Sequence, residues 1–230
     1  MSTIRSDTRS AAGLDARHTH WVRRLARQWW HLQLLKTAGI FAFMALFFVA
    51  YFHLLRHPVR PPVTMPLTPL DARIDFQPLA LWPYVSLWVY VGLAPALLPS
   101  LRDLLHYGAW VGGLCLAGLA CFYLWPTAVP SQMHRIDPHA LQQGGLALLR
   151  GVDAAGNACP SLHVATALFS AVWTHHILRQ AGAPAWTLAV NGAWLLLICW
   201  STVAVRQHVV LDVVAGAALG LAFAVLSLRF

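Results

Sequence analysis

The chain has 230 residues, of which 58% are hydrophobic and only 10% are charged. Soluble domains carry about 25% charged residues, so this composition excludes an ordinary soluble protein and indicates an integral membrane protein. The formal net charge is +8, but seven of the sixteen basic residues lie within the first 36 residues, beside the first apolar run. A basic segment at that place is typical of a cytoplasmic membrane anchor, so we expect the lipid bilayer as a partner and no nucleic acid.

Residues 1–36 form this basic segment, and we assign it to the cytoplasm. Within it, Trp21, Leu25 and Trp29 recur at helical spacing, while the neighbouring arginines fall on other faces. Such a pattern is typical of an interfacial helix that lies flat on anionic headgroups. The alternative, which we favour, is that the segment only sets the topology.

The rest of the chain, residues 37–230, contains six apolar stretches long enough for membrane-spanning helices. A hydrocarbon core of about 30 Å requires roughly 20 helical residues. The stretches lie between Lys36 and Arg56, between Asp75 and Arg102, and at about 104–125, 161–178, 184–204 and 207–228. We therefore predict an all-α integral membrane protein, a six-transmembrane-helix bundle in which Pro83 and Pro95 bend or shorten the second helix.

An even number of spans places both termini on one side of the membrane. Ten of the sixteen lysine and arginine residues fall on that side and six on the other, so the positive-inside rule predicts cytoplasmic termini. In the last span, Gly216 and Gly220 form a small-xxx-small pattern that lets two helices approach closely. The six spans and the cytoplasmic termini together predict a multi-pass protein of the plasma or inner membrane.

Chemically active residues gather at the outer side of this predicted bundle. Ser161 and His163 begin the fourth span there, and two crossings later the chain returns to the same side at His208 and Asp212. The last two residues are four apart at the start of a helix and therefore share a face. A carboxylate that accepts a hydrogen bond from one imidazole nitrogen fixes the tautomer and makes the other nitrogen a better nucleophile or base. Arg206 adds a positive charge that suits phosphate oxygens.

The beginning of the fourth span favours the binding of an anion. Pro160 and Ser161 are good helix-opening residues, and the N–H groups at a helix N-terminus attract phosphate. The residues fit an attack on phosphorus by one imidazole while another imidazole protonates the leaving oxygen. This chemistry needs no metal or other cofactor, because arginine and N–H groups can carry the phosphate charge. Asp71 and Asp75, which precede the second span, are candidates to cap or orient the loop over this site.

The stretch Pro160 to His163 (P-S-L-H), followed 45 residues after its histidine by H-x-x-x-D, resembles the type 2 phosphatidic acid phosphatase superfamily. Its members are six-span, metal-independent lipid phosphatases and phosphotransferases. The resemblance implies that His208 is the nucleophile, which forms a phosphohistidine, that Asp212 orients it, and that His163 is the general acid. It also implies that Ser161 and the backbone around it hold the phosphate.

The sequence departs from the motifs of this superfamily at two places. The third motif has arginine directly after its serine, whereas Thr202 stands there in this chain and Arg206 lies two residues before His208. A similar arrangement occurs in members that carry P-S-L-H, among them the branch that resembles inositol phosphorylceramide synthases. The first motif, K-x6-R-P, is absent, and Arg135 is the candidate to supply its phosphate-binding guanidinium.

The motifs predict a lipid phosphate or pyrophosphate phosphatase at the outer leaflet but do not separate it from a phosphotransferase, because both share the first half-reaction. The expected substrate is a phospholipid or a polyprenyl (pyro)phosphate. Two other classes fit less well. A histidine-rich metalloenzyme needs H-x2-H-H spacing, but Val172 stands where a box that ends at His176 needs histidine. A non-enzymatic lipid transporter usually shows repeats and broken helices at the midplane, whereas the polar residues here lie at one face.

Overall fold

The computed structural model describes residues 20–131 and 156–230. Residues 1–19 of the basic segment and Arg135 lie outside the described residues. The described chain is α-helical except for the short strands β1 (Val63–Thr64) and β2 (Thr127–Ala128), two 3-10 turns (Asp71–Arg73 and Pro78–Ala80) and the connecting loops. The helices are α1 (20–30), α2 (Gln33–Arg56), α3 (Leu81–Val85), α4 (Leu87–Leu97), α5 (Leu101–Leu124), α6 (Leu162–Ala181), α7 (Ala185–Ala204) and α8 (Val210–Arg229). The prediction of an all-α protein is confirmed.

Among the described residues, five stretches are long and apolar enough to cross a membrane. They are α2, the stretch Pro78–Leu97 that contains α3 and α4, and the helices α5, α7 and α8. The predicted fourth span forms helix α6, which has 20 residues but a less apolar sequence. Five of the six predicted spans are thus candidates to cross a membrane by length and composition, and the six-span bundle stays a prediction.

Helix α6 differs from the others because it packs at the centre of the bundle, against α4, α5, α7 and α8. Twelve of its 20 residues are buried, and two of its polar side chains form hydrogen bonds with neighbouring helices. The hydroxyl groups of Ser170 and Tyr107 lie 3.0 Å apart, and the indole N–H of Trp173 donates to the hydroxyl oxygen of Ser227 at 2.9 Å. Hydrogen bonds between helices satisfy such polar groups within a membrane bundle, which explains how a less apolar helix can occupy this position.

Helices α6 and α8 are in backbone contact through the predicted small-xxx-small pattern. A Cβ atom at Gly216 would overlap with the carbonyl oxygen of Ser161, and one at Gly220 would overlap with the carbonyl oxygen of Ala165. Gly216 and Gly220 are four residues apart, as are Ser161 and Ala165, so the two helices stay in contact over about one turn. This contact brings the first turns of the two helices, where the predicted site residues lie, next to each other.

The second predicted span is interrupted, as its prolines predicted. Helices α3 and α4 are separated at Ser86, whose hydroxyl donates to the carbonyl oxygen of Pro83 at 2.7 Å. Helix α4 ends two residues after Pro95. Proline lacks the N–H that would continue the helical hydrogen-bond ladder, so both positions limit helix length.

Successive helices end alternately at two opposite ends of the bundle. At one end, the N–H of Gln77 donates to the carbonyl oxygen of Ala204 at 3.0 Å, and β1 pairs in parallel with β2. At the opposite end, the ammonium group of Lys36 donates to the carbonyl oxygen of Ala96 at 2.8 Å. This alternation agrees with the predicted order of crossings, in which the chain begins at the end that contains Lys36.

Candidate active site

His208 and Asp212 form a pair at the beginning of α8, as their spacing predicted. Asp212 is fully buried, and its Oδ2 lies 3.5 Å from Nδ1 of His208. The same oxygen accepts the backbone N–H of Val209 at 3.0 Å, so one carboxylate caps the helix and faces the imidazole. The distance to the imidazole exceeds that of a hydrogen bond, and catalytic contacts of this kind often tighten when substrate binds. With Nδ1 directed at the carboxylate, Nε2 is the ring atom that can attack.

A tight turn between α7 and α8 brings His208 to this position. The carbonyl oxygen of Thr202 accepts the N–H groups of both Gln207 and His208, each at 3.1 Å. Arg206 has a φ of 64°, a left-handed conformation that is uncommon for residues other than glycine. Thr202, which stands where the resembled motif has arginine, therefore builds the turn with its backbone.

A second buried carboxylate, that of Asp71, reaches the beginning of α8 from the loop before α3. Its Oδ1 accepts the N–H of Val210 at 2.8 Å, and its Oδ2 accepts both the N–H and the hydroxyl of Thr68 at 2.7 Å. The first N–H groups of a helix have no partner within the helix, so acceptors at this place stabilise it. Asp71 thus bonds within the loop, at Thr68, and also caps α8, a contact that the sequence did not predict. Together, Asp71 and Asp212 hold the segment that carries His208.

His163 lies in the first turn of α6 and is held by the segment around α3. Its Nε2 is 3.0 Å from the carbonyl oxygen of Tyr84, and its ring stacks on that of Tyr84 with centroids 4.2 Å apart. The ring of Trp88 approaches it edge-on at 6.2 Å. Because a carbonyl oxygen only accepts, Nε2 carries a proton, and Nδ1 is the ring atom that remains for proton transfer.

Ser161 is fully buried and caps α6. Its Oγ accepts the N–H of Val164 at 3.3 Å, and its own N–H donates to the carbonyl oxygen of Asp212 at 3.0 Å. Ser161 thus ties the beginning of α6 to the beginning of α8. Its predicted role as a phosphate ligand stays a prediction, since the hydroxyl oxygen already accepts a hydrogen bond within the helix.

His163 and His208 face the same cavity, which has a volume of about 930 Å³. Asn157, Thr166 and Gln207 add polar groups at this end. The rest of the cavity is here called the slot. It continues between α2, α4 and α5 as far as the opposite end of the bundle, and mainly apolar side chains line it. A large apolar wall with a few polar groups at one place is typical of a ligand site.

Of the two arginines predicted to bind phosphate, the structure describes one. Arg206 is partly exposed and lies in the turn directly before Gln207 and His208, which line the cavity. Arg135 falls outside the described residues, and its role stays a prediction.

Four site residues were not predicted from the sequence: Tyr84, Trp88, Asn157 and Gln207. Gln207 precedes His208 directly, so its position next to the motif was a usable signal. Asn157 has a left-handed backbone with φ of 54°, which asparagine tolerates better than most residues. Tyr84 and Trp88 come from the second span, and no local pattern marks them, because Tyr84 acts through its backbone carbonyl and its ring face.

The thiol of Cys159 lies close to this site but is unsuited to nucleophilic attack. Its N–H donates to the hydroxyl oxygen of Thr127 at 2.8 Å. Burial, together with the negative charge of Asp212, raises the pKa of Cys159 to about 11. The thiol is therefore protonated at neutral pH, and a protonated thiol is a poor nucleophile.

Residues 108–230 match the family model of the PAP2 superfamily. No curated protein and no solved structure is significantly similar to the chain. The matched range contains most of α5 and all of α6, α7 and α8, and therefore includes His163, His208 and Asp212. Helices α2 and α4, which form one side of the slot, lie outside it.

Proposed function

Because the chain belongs to the PAP2 superfamily, whose members are phosphatases and phosphotransferases, we propose that it is a metal-independent lipid phosphate or pyrophosphate phosphatase that forms a phosphohistidine. One observation carries the proposal: His163 and the His208–Asp212 pair meet at one end of an apolar slot. The site thus combines a nucleophile, a proton donor and space for a lipid.

In the first half-reaction, Nε2 of His208 attacks the phosphorus and forms a P–N bond as the P–O bond to the lipid breaks. The Nδ1 proton stays directed at Asp212, whose charge stabilises the positive imidazole that results. Once the negatively charged phosphate is bound beside it, His163 is protonated on both nitrogens and donates its Nδ1 proton to the leaving oxygen, while Nε2 remains hydrogen-bonded to the carbonyl of Tyr84. The lipid leaves as an alcohol, or as a lipid phosphate if the substrate is a pyrophosphate.

In the second half-reaction, water attacks the phosphorus of the phosphohistidine. The neutral Nδ1 of His163 accepts a proton from the water as the P–N bond breaks. Inorganic phosphate leaves, the electron pair returns to Nε2 of His208, and both histidines regain their starting protonation states.

We assign the charge of the phosphate to Arg206 and to the first turn of α6. Guanidinium groups suit phosphate oxygens, and Arg206 is next to the residues that line the cavity. Ser161 begins α6, where helix N–H groups favour an anion. Arg135 is the second candidate for a phosphate-binding arginine.

We place the site at the outer or lumenal leaflet. With α6 as the fourth of six crossings, the end of the bundle that contains His163 and His208 is opposite to both termini. The distribution of ten basic residues on the terminal side against six on the other supports cytoplasmic termini.

Phosphate release by the purified full-length protein in detergent, with EDTA present, tests the proposal on a panel of lipid phosphates and pyrophosphates. The wild type should release phosphate, whereas His208→Ala should release none, because it lacks the nucleophile. The matched control is His175→Ala, near the other end of α6, which should keep wild-type turnover.

Three results would contradict parts of this proposal. Wild-type turnover by His208→Ala would contradict the assigned nucleophile, and a strict magnesium requirement would contradict the metal-free mechanism. If the wild type released phosphate from no substrate of the panel, the proposed phosphatase activity would be wrong. Transfer of a phospho-headgroup to a second lipid or to inositol would then support the phosphotransferase alternative.

A further inference from the structure

Three glycines leave open space in the inner half of the slot, the half nearer to Lys36. Gly39, Gly92 and Gly108 belong to α2, α4 and α5, and all three line the slot. A Cβ atom added at any of them would meet nothing within 4 Å. At Gly216, by contrast, the backbone of α6 leaves no room for a Cβ atom. Close helix packing therefore does not require glycine at these three positions. All three residues widen the slot, because they place no side chain in it.

Gly92 and Gly39 lie at different depths in the slot. The rings of Phe48 on α2 and Trp88 on α4 are 5.3 Å apart, and the ring of Trp88 lies 6.2 Å from that of His163. At a rise of about 1.5 Å per residue, Gly92 lies about 6 Å and Gly39 about 14 Å deeper than this aromatic pair. A linear group that starts at His163 and follows the slot therefore passes Gly92 before it reaches Gly39.

We propose that the slot holds the hydrocarbon tail of the substrate and that Gly39, Gly92 and Gly108 set the longest tail that the protein accepts. This role rests on the proposed function, which places the phosphate at His208. The occupant is a hydrocarbon chain because the slot is lined mainly by apolar side chains and is continuous with the cavity at His163.

Selection by tail length comes from steric fit and not from the hydrophobic effect. A tail that leaves the bilayer for the slot exchanges one apolar environment for another, so added methylene groups gain little. A side chain that fills the slot, however, overlaps with the tail, and overpacking of this kind is destabilising. Replacement of a slot glycine by leucine should therefore act more strongly on long tails than on short ones.

The test uses the full-length protein in detergent and single-chain alkyl phosphates of increasing length. In both Gly92→Leu and Gly39→Leu, kcat/KM for the longest chain relative to the shortest should fall about tenfold or more. The fall should begin at a shorter chain in Gly92→Leu, because Gly92 lies nearer to His163. Gly192→Leu on α7 is the matched control, since Gly192 also has open space around it but does not line the slot. It should keep the length profile of the wild type.

Wild-type length profiles in both slot variants would overturn the inference and leave the proposed function intact. A wild type that releases phosphate neither from the alkyl phosphates nor from the panel of lipid phosphates and pyrophosphates would instead contradict the proposed function. A binding measurement then tests the slot without turnover. A long alkyl phosphate with a photoreactive group at the end of its tail should label residues around Gly39, and Gly92→Leu should abolish this labelling. Labelling only outside the slot would overturn the inference.

Discussion

Asp212 has two tasks that a substitution can separate. Its Oδ2 caps α8 by accepting the N–H of Val209 and also lies 3.5 Å from Nδ1 of His208. The first task needs only an acceptor, whereas the second needs a negative charge beside an imidazole that becomes positive. An asparagine at this position can perform the first task and not the second.

We therefore predict that Asp212→Asn lowers kcat by about 10⁴-fold, as loss of the orienting carboxylate does in comparable triads, while the melting temperature changes little. Steady-state phosphate release and thermal unfolding in detergent measure the two effects. Asp103→Asn is the matched control, because Asp103 lies in the first turn of α5 at the opposite end of the bundle. Near-normal turnover by Asp212→Asn would show that its charge has no role.

Residue types and spacing predicted His163, His208 and Asp212, because ionisable groups at membrane depth are rare without a function. The same reasoning could not separate the two roles of Ser161. A serine before a helix is suited both to bind phosphate and to cap the helix, and only the structure shows that the hydroxyl of Ser161 accepts the N–H of Val164. The carbonyl of Tyr84 carries no sequence signal, because every residue has one.

A hydrogen bond from α8 couples this helix, which carries Asp212, to the loop before α3. Asp71 joins Thr68 in this loop to the N–H of Val210, across 139 positions of sequence. The sequence marked Asp71 and Asp75 as candidates to cap or orient the loop but could not predict that Asp71 caps α8, since capping by distant residues depends on how the loops fold. The site therefore depends on residues outside the segment that carries its motifs.

Asp71→Ala should destabilise the protein by about 1–2 kcal/mol, because it leaves the N–H groups of Val210 and Thr68 without their acceptor. It should also lower kcat, since the segment that carries His208 loses one of its two carboxylate caps. Asp71→Asn should restore much of both, because its amide oxygen can still accept from Val210. Thermal unfolding and phosphate release provide the measurements.

The control for this prediction is Asp75→Ala, in the same loop but exposed, which should match the wild type. If Asp71→Ala also matched the wild type in both measurements, the coupling between the loop and α8 would be wrong.

For the molecule as a whole, counting spans predicted which ends of the helices meet, even though α6 is less apolar than the others. The alternation of ends placed His163 and His208 on one side, and the structure confirms that they share a cavity. The slot was not predicted, because it is bounded by α2, α4 and α5, whose sequences read only as apolar spans. Its shape depends on how these helices pack.

The orientation of the whole bundle in the membrane predicts the labelling of introduced cysteines. A membrane-impermeant thiol reagent should label Arg60→Cys in intact cells, above the background of the native cysteines, because Arg60 is exposed at the end that contains the site. Arg179→Cys, exposed at the terminal end, should be labelled only after the membrane is permeabilised. The reverse pattern would contradict a site at the outer or lumenal leaflet.

The most direct test of phosphoryl transfer through a histidine is to find the phosphoryl group on the protein. The purified protein is mixed with a lipid phosphate, quenched at alkaline pH to preserve the P–N bond, digested and analysed by mass spectrometry. We expect a phosphoryl group on His208 in the wild type and none in His208→Ala. A wild type that turns over its substrate but carries no phosphoryl group, or carries it on another residue, would contradict the mechanism.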